Sequence, residues 1–213
     1  MSLKKATILI ILILLIDQIS KFYIKTHFAL NDKTIVFDWF HIAFVENDGM
    51  AWGTKISDFV SFISDRTAKV CLTVFRILAV FGIGYWLKKS IIDNSSKTLI
   101  FAISLILAGA LGNIIDSVFY GIIFDSSSGQ VATFLPEQGY DTLLHGSVVD
   151  MLHFPIWKGE LPNWLPFFGG KSFSFFDPVF NIADMAISTG IGILIFFNKR
   201  AFKDRLQTVD SEI

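Results

Sequence analysis

Four stretches of this chain are long and apolar enough to cross a lipid bilayer: about Thr7–Ile24, Val70–Leu87, Thr98–Ile115 and Val179–Phe197. At about 1.5 Å of rise per residue, each covers close to the hydrocarbon thickness as a helix. This constrains the fold more than any other feature, because lipid tolerates only backbone that satisfies its own hydrogen bonds. Composition agrees: 213 residues are 53% hydrophobic and 17% charged, with a mean hydropathy of +0.57, against about 25% charged in a soluble domain. A net charge of −1 offers no field for nucleic acid. The 23 Phe, 5 Trp and 4 Tyr exclude a solvated disordered chain. Cys71 is the one cysteine, so an internal disulfide or a Cys-rich zinc module is impossible.

Lys4 and Lys5 ahead of the apolar run Ala6–Ile16 could open a cleaved signal peptide. No small-x-small site follows, and the chain continues into Asp17-Gln18-Ile19-Ser20-Lys21, which reads as a helix that stays. Segments 1–5, 88–97 and 199–213 hold nine Lys and Arg, whereas the much longer 28–66 and 121–177 hold five. By the positive-inside rule the first set faces the cytoplasm, both termini included. The expectation is one integral-membrane domain over 1–213, with spans at about 7–24, 70–87, 98–115 and 179–197 and extracytoplasmic segments at about 28–66 and 121–177. Its class is an all-α membrane protein of four transmembrane helices with a small extracytoplasmic β-sheet and long extracytoplasmic insertions. The apolar, imperfectly alternating Thr34–Val45 supplies the strand signal. Residues 121–177 read as an irregular, aromatic-rich surface, because Pro155, Pro162, Pro166 and Gly169-Gly170 interrupt any long helix. Trp157, Trp164, Phe167 and Phe168 there suit a membrane-interface rim.

Carboxylates inside spans cost about 2.5–3.5 kcal/mol each on insertion scales, so Asp17, Asp116 and Asp184 each ask for a reason. Asn113-Ile114-Ile115-Asp116 is echoed by Asn181-Ile182-Ala183-Asp184, and i, i+3 spacing on a helix puts amide and carboxylate on one face. Asp184 falls about five residues, or about 7–8 Å, into the last span. A partner for it is Asp150, which ends Gly146-Ser147-Val148-Val149-Asp150. Two carboxylates in one low-dielectric site share a single proton, the condition for aspartyl hydrolysis. Intramembrane carboxylates serve proton transporters and structural ion pairs as well. Arg76 suits pairing with Asp17 or Asp116, or snorkelling. Offsets of five and three between His145, Asp150 and His153 do not make a helical metal face. Ala108-Gly109-Ala110-Leu111-Gly112 is a small-residue packing surface.

Taken in order, Asp17-Gln18-x-x-Lys21, Asn47-Asp48-Gly49-Met50-Ala51-Trp52-Gly53, Gly109 through Asp116, Gly146 through Asp150 and Phe180 through Asp184 resemble bacterial lipoprotein signal peptidase, or signal peptidase II. The resemblance covers all four spans. It implies an aspartyl endopeptidase of the bacterial cytoplasmic (inner) membrane that removes the signal peptide from diacylglyceryl-modified prolipoproteins, cutting before the lipidated cysteine. Carried over, Asp150 and Asp184 are the catalytic pair, while Asp17, Lys21, Asn47, Gly49, Asn113 and Asn181 bind substrate or organise the site. No cofactor and no metal are implied; the partners are the prolipoprotein and membrane lipid, and a monomer is the default state. The competing classes are a proton-coupled transporter, which would show inverted repeats and broken helices that are absent from the sequence, and a non-catalytic scaffold, which would tolerate loss of either aspartate. Three departures stand out. Ser117 occupies the position after Asn-x-x-Asp where the family usually carries Arg, with Arg76 and Lys21 as candidate replacements. Residues 119–144 separate the third span from Asp150, and the stretch between Asp150 and Phe180, mainly 154–176, is long.

The charge asymmetry makes a topological prediction. On a background with Cys71 replaced, a cysteine in 88–97 should react with an impermeant reagent only from the cytoplasmic side, and one near Ser127 or Gly170 only from outside. Labelling both from the same side would contradict the four-span arrangement.

Overall fold

The fold is that of a computed structural model, which describes residues 1–48, 64–160, 162–164, 166, 169–170, 172–175 and 178–203. Among the described residues three helices are long and apolar enough to cross a membrane. α1 (Leu3–His27) starts where the Ser2 hydroxyl accepts the Lys5 amide, and α2 (Asp65–Ile92) starts on Ser64 in the same way. α3 (Lys97–Ile115), capped by Ser96, runs on through a π-helical turn (Asp116–Tyr120) and a short α4 (Gly121–Ile123). α5 (Ile182–Phe196) is apolar but has only 15 residues, about 22 Å, and α6 (Asn198–Ala201) follows a break at Phe197. The fourth apolar window thus begins as strand rather than helix, since Val179 and Phe180 join the sheet.

α3 is the central helix, packing on α1, α2 and α5. Its small residues let α5 approach backbone to backbone: a Cβ on Gly109 would lie 2.2 Å from the Ala183 carbonyl oxygen, and one on Gly190 would lie 2.7 Å from that of Ala102. The outward faces of α1 and α2 expose Ile8, Leu12, Leu15, Phe75, Leu78 and Phe81. A face of this kind is stable only against lipid or a partner.

β1 (Lys33–Phe37) and β2 (Phe40–Asn47) form the expected hairpin. β3 (Val148–His153) pairs antiparallel with β2, Asp150 opposite Val45 and Asn47 opposite Val148, and β6 (Val179–Phe180) completes a four-stranded sheet in the order β1-β2-β3-β6. β4 (Trp157–Glu160) and β5 (Ser172–Phe175) make a separate two-stranded sheet. The expectation of an irregular 121–177 is corrected at β3, β4 and β5, while the expected helical membrane class with a small sheet holds as a helical majority with small antiparallel sheets. The short runs that form β3 and β5 gain their stability from pairing with distant segments, which no local periodicity announces. Trp164 is exposed, while Phe167 and Phe168 lie outside the described residues.

Two apolar clusters bracket the bundle. One holds Ala6, Leu87, Leu99, Ile100 and Ile103; the other holds Ile24, Phe44, Tyr120, Phe124, Val149 and Met151 where helices meet sheet. Residues 124–147 fold onto the second cluster: the Leu30 amide donates to the Ser127 carbonyl (2.8 Å) and the Ala132 amide to the Lys25 carbonyl (3.2 Å). Lys25 itself is fully buried, 2.5 Å from Glu46 on β2 and 2.8 Å from the Ser127 hydroxyl, with its Nζ 4.7 Å from the Tyr140 ring centroid. Ser127 is buried by this contact, so exposed Ser128 beside it is the better labelling position.

Breaking a buried pair from one side leaves an uncompensated charge, which typically costs about 3–5 kcal/mol, whereas replacing both partners with apolar groups is often neutral. Glu46→Ala should therefore destabilise the protein in detergent by about that amount, and Lys25→Met/Glu46→Leu by far less. Equal losses in denaturant unfolding would show that the pair is not a coupled unit.

Candidate active site

Polar groups collect between the two apolar clusters, where α1, the end of α3, β3 and the start of α5 converge. Asp17 and Lys21, one turn apart on α1, form an ion pair of 2.9 Å, and the same ammonium lies 2.8 Å from Asp116. Its third hydrogen goes to Asn113 Oδ1 at 2.9 Å. All three charged groups are fully buried. Each carboxylate then serves a second element. Asp17 Oδ1 accepts the Ala183 amide (2.9 Å), one of the orphan donors at the start of α5, and Asp116 Oδ2 accepts the Val149 amide of β3 (3.2 Å). Gly112 permits this meeting, since a Cβ there would lie 2.5 Å from Asp17 Oδ2. Gly146 does the same for the loop before β3: its Cβ would fall 2.0 Å from the Asp116 carbonyl oxygen.

The ammonium of Lys21 can only donate, so it fixes the Asn113 amide with its oxygen inward and its NH2 outward. That NH2 donates to Asp184 Oδ1 at 2.8 Å. Asn181 is oriented likewise. Its Oδ1 accepts the Asp184 backbone amide (2.9 Å), which leaves its NH2 for Asp150 Oδ1 (2.7 Å). The Asn181 backbone amide donates to Asp184 Oδ2 in return (3.3 Å), completing a reciprocal capping box. Asn47, diagonal to Asp150 across the sheet, donates to its other oxygen at 3.2 Å. The two predicted catalytic carboxylates are therefore brought to one place, joined through a single asparagine.

Asp150 is buried while Asp184 is half-buried. Burial, reinforced by the neighbouring Asp184 charge, pushes the Asp150 carboxyl up to about 7. A carboxyl at that value is part protonated at neutral pH and can donate a proton or hold one.

Of the predicted site residues, Asp17, Lys21, Asn47, Asn113, Asn181, Asp150 and Asp184 all meet in this network, while Gly49 lies outside the described residues. Asp184 is not well inside a span but is the third residue of α5, and Asn181 is its N-cap, so the Asn-x-x-Asp echo is a helical pair on α3 and a helix cap at α5. Arg76, expected to pair with Asp17 or Asp116 or to snorkel, reaches the residue next to Asp116. Lys21 holds Asp17 and Asp116, and the guanidinium donates to Ser117 Oγ at 3.1 Å. Sequence reasoning missed Gln18, which donates to Asp116 (2.9 Å) and accepts from Tyr120 (3.2 Å). It also missed Lys25, the next i+4 step on the Asp17–Lys21 face. A third omission is the cluster of Lys69, Asp48 and Ser147. There Lys69 is 2.8 Å from Asp48 and the Ser147 hydroxyl donates to the same carboxylate. His145 contacts Thr142, and His153 faces His41 across β2 and β3; among the described residues no group of three or more His, Cys, Asp or Glu is placed to hold a metal.

Fold and site together define a helical membrane protein whose polar, carboxylate-rich centre lies at the junction of bundle and sheet. A family model described as signal peptidase (SPase) II matches residues 9–199. The lipoprotein signal peptidase of Porphyromonas gingivalis is 45% identical over 195 residues, covering 90% of this chain and 81% of the relative. That of Amoebophilus asiaticus is 33% identical over 205 residues, covering 94% and 80%. A bacterial membrane enzyme solved by the in meso method at 1.9 Å shares the fold, with a TM-score of 0.59 at 24% identity over 91% of each chain. The chain belongs to the signal peptidase II family, proteases that remove signal peptides from prolipoproteins.

Proposed function

We propose that the protease is of the aspartic type, with Asp150 and Asp184 as its catalytic pair and no metal in the reaction. The observation that carries this reading is Asn181, which donates its side-chain amide to Asp150 and caps Asp184 from the same residue. In the proposed cycle the pair holds one proton, on Asp150 in the resting state. Asp150 donates it to the scissile carbonyl oxygen while Asp184 takes a proton from the attacking water. The tetrahedral intermediate collapses with cleavage of the C–N bond. The departing nitrogen takes the proton held by Asp184, and the hydroxyl proton returns to Asp150, restoring the singly protonated pair.

The substrate is a prolipoprotein whose cysteine carries diacylglycerol, cut just before that cysteine. Asn47 and Asn113 hold the pair in place, and Asn47 meets the substrate backbone. The protein is a single integral-membrane domain over 1–213 with α5 as the fourth span, both termini in the cytoplasm and the sheet outside. The basic residues of 1–5, 88–97 and 199–213 support that orientation, and the capping position of Asp184 supports a site near the membrane surface, where water has access.

Asp150→Asn and Asp184→Asn are nearly isosteric and keep a hydrogen-bonding side chain in place. Each should lower cleavage of a diacylglyceryl-modified prolipoprotein in detergent by about a thousand-fold or more while the protein remains folded. Turnover near that of the unmodified protein in either variant would remove that residue from the mechanism.

A further inference from the structure

The charges around the pair do not balance on the α1 side. The three ammonium hydrogens of Lys21 are committed to Asp17, Asp116 and Asn113. Its single positive charge faces two carboxylates in contact, leaving that cluster at −1 before the catalytic pair is added. A pair holding one proton adds another −1 at a site only a few hydrogen bonds away. Carboxylates in increasingly negative, dry surroundings bind a further proton more tightly, which would silence the member that must accept one from water. A cation facing the pair from a different element would correct this.

α2 brings one. Arg76 lies between the spanning surface of α2 and the end of α3 and is half-buried. Its guanidinium donates to Ser117 Oγ at 3.1 Å, and that hydroxyl donates to the Asn113 carbonyl at 2.9 Å. Asn113 is the residue whose side chain holds Asp184. The guanidinium therefore sits beside Asp116, which immediately precedes Ser117, and one residue's span from the amide that holds Asp184. We propose that Arg76, anchored on Ser117, is a positioning residue whose positive charge, brought from α2 to the end of α3, keeps the Asp150–Asp184 pair singly ionised. The inference rests on the aspartic reading above. The other ionisable groups around it are Asp17 and Lys21 on α1, Asp116 and Tyr120 at the end of α3, Asp150 on β3 and Asp184 on α5. Further along α2, Lys69 is held by Asp48 at 2.8 Å.

The sign of the effect follows. A nearby positive charge lowers the pH at which the pair takes up its second proton. Removing it raises that pH, so the acidic limb of kcat/KM moves upward. An opposite charge a few ångströms away shifts a carboxylate by about one to three pH units, so Arg76→Ala should move the limb by about one unit or more and lower kcat/KM about tenfold or more below it. Arg76→Lys should move it less. The decisive variant is Arg76→Ala/Ser117→Arg, which roots the guanidinium on α3 in the space that α2 has vacated; its limb should return toward that of the unmodified protein.

The profiles are measured on the full-length protein in detergent with a diacylglyceryl-modified prolipoprotein, with thermal unfolding as the check on folding. An unmoved limb in folded Arg76→Ala overturns the proposal, as does a uniform loss at every pH that Ser117→Arg does not restore. If Arg76→Ala does not fold, the two variants that keep a cation decide: both should hold the limb near its original place, and a shifted limb in both overturns the proposal. Asp184→Asn, run in parallel, separates this inference from the reading beneath it. Activity in Asp184→Asn defeats the aspartic assignment, whereas an inactive Asp184→Asn with an unmoved limb in folded Arg76→Ala defeats the Arg76 role alone.

Discussion

The ammonium of Lys21 is the contact on which the rest of the site depends. A lysine buried to 0% exposure in an apolar bundle is tolerable only if its charge and all three donors are satisfied. Satisfying them draws Asp17, Asp116 and Asn113 together, and with them α1 and α3. The consequences pass outward through atoms that have no alternative. Asp17 reaches on to the amide of Ala183 and Asp116 to that of Val149, so one cation indirectly fixes the start of α5 and the register of β3. Those are the two elements that bear Asp184 and Asp150. Because the ammonium cannot accept a hydrogen bond, it also decides which end of the Asn113 amide faces Asp184.

Among the described residues the pair itself is held by neutral amides rather than by cations in direct contact. Asn47, Asn113 and Asn181 donate to Asp150 and Asp184 at 3.2, 2.8 and 2.7 Å. Amide donors hold geometry with partial charges only, so they stabilise ionised carboxylates less than a direct ion pair would and leave a shared proton in play. The salt-bridged cluster of Asp17, Lys21 and Asp116 therefore lies one layer behind Asp150 and Asp184. Burial differs across the pair as well, with Asp150 under the sheet and Asp184 at the more open helix start, a difference in surroundings that can assign two like groups different roles.

Much of this was legible in the sequence, and the failures have identifiable causes. The apolar windows gave α1, α2 and α3 because length and hydropathy suffice in lipid, and the Asp17–Lys21 spacing placed both residues on one helical face. The same logic misread Asn181–Asp184. The four-residue pattern of Asn113–Asp116 sits inside a helix at one place and starts a helix at the other, and Pro178, three residues ahead of Asn181, was the available sign that no helix runs upstream. The Asp150 strand was missed because its pairing with β2 joins segments about 100 residues apart in sequence, beyond any periodic signal. The partnership of Arg76 with Ser117 was likewise a matter of helix packing, invisible until α2 and α3 were set side by side.

In the proposed mechanism Asp150 and Asp184 share one proton around neutral pH, with Asp150 holding it. Infrared difference spectroscopy of the protein in detergent, titrated across neutral pH, reads this without a substrate. A protonated carboxyl has a C=O stretch well separated from that of a carboxylate. One such band should disappear as the pH rises through about 7 and should be missing from Asp150→Asn. A band that persists unchanged in Asp150→Asn, or no carboxylic band titrating near neutrality, would contradict it.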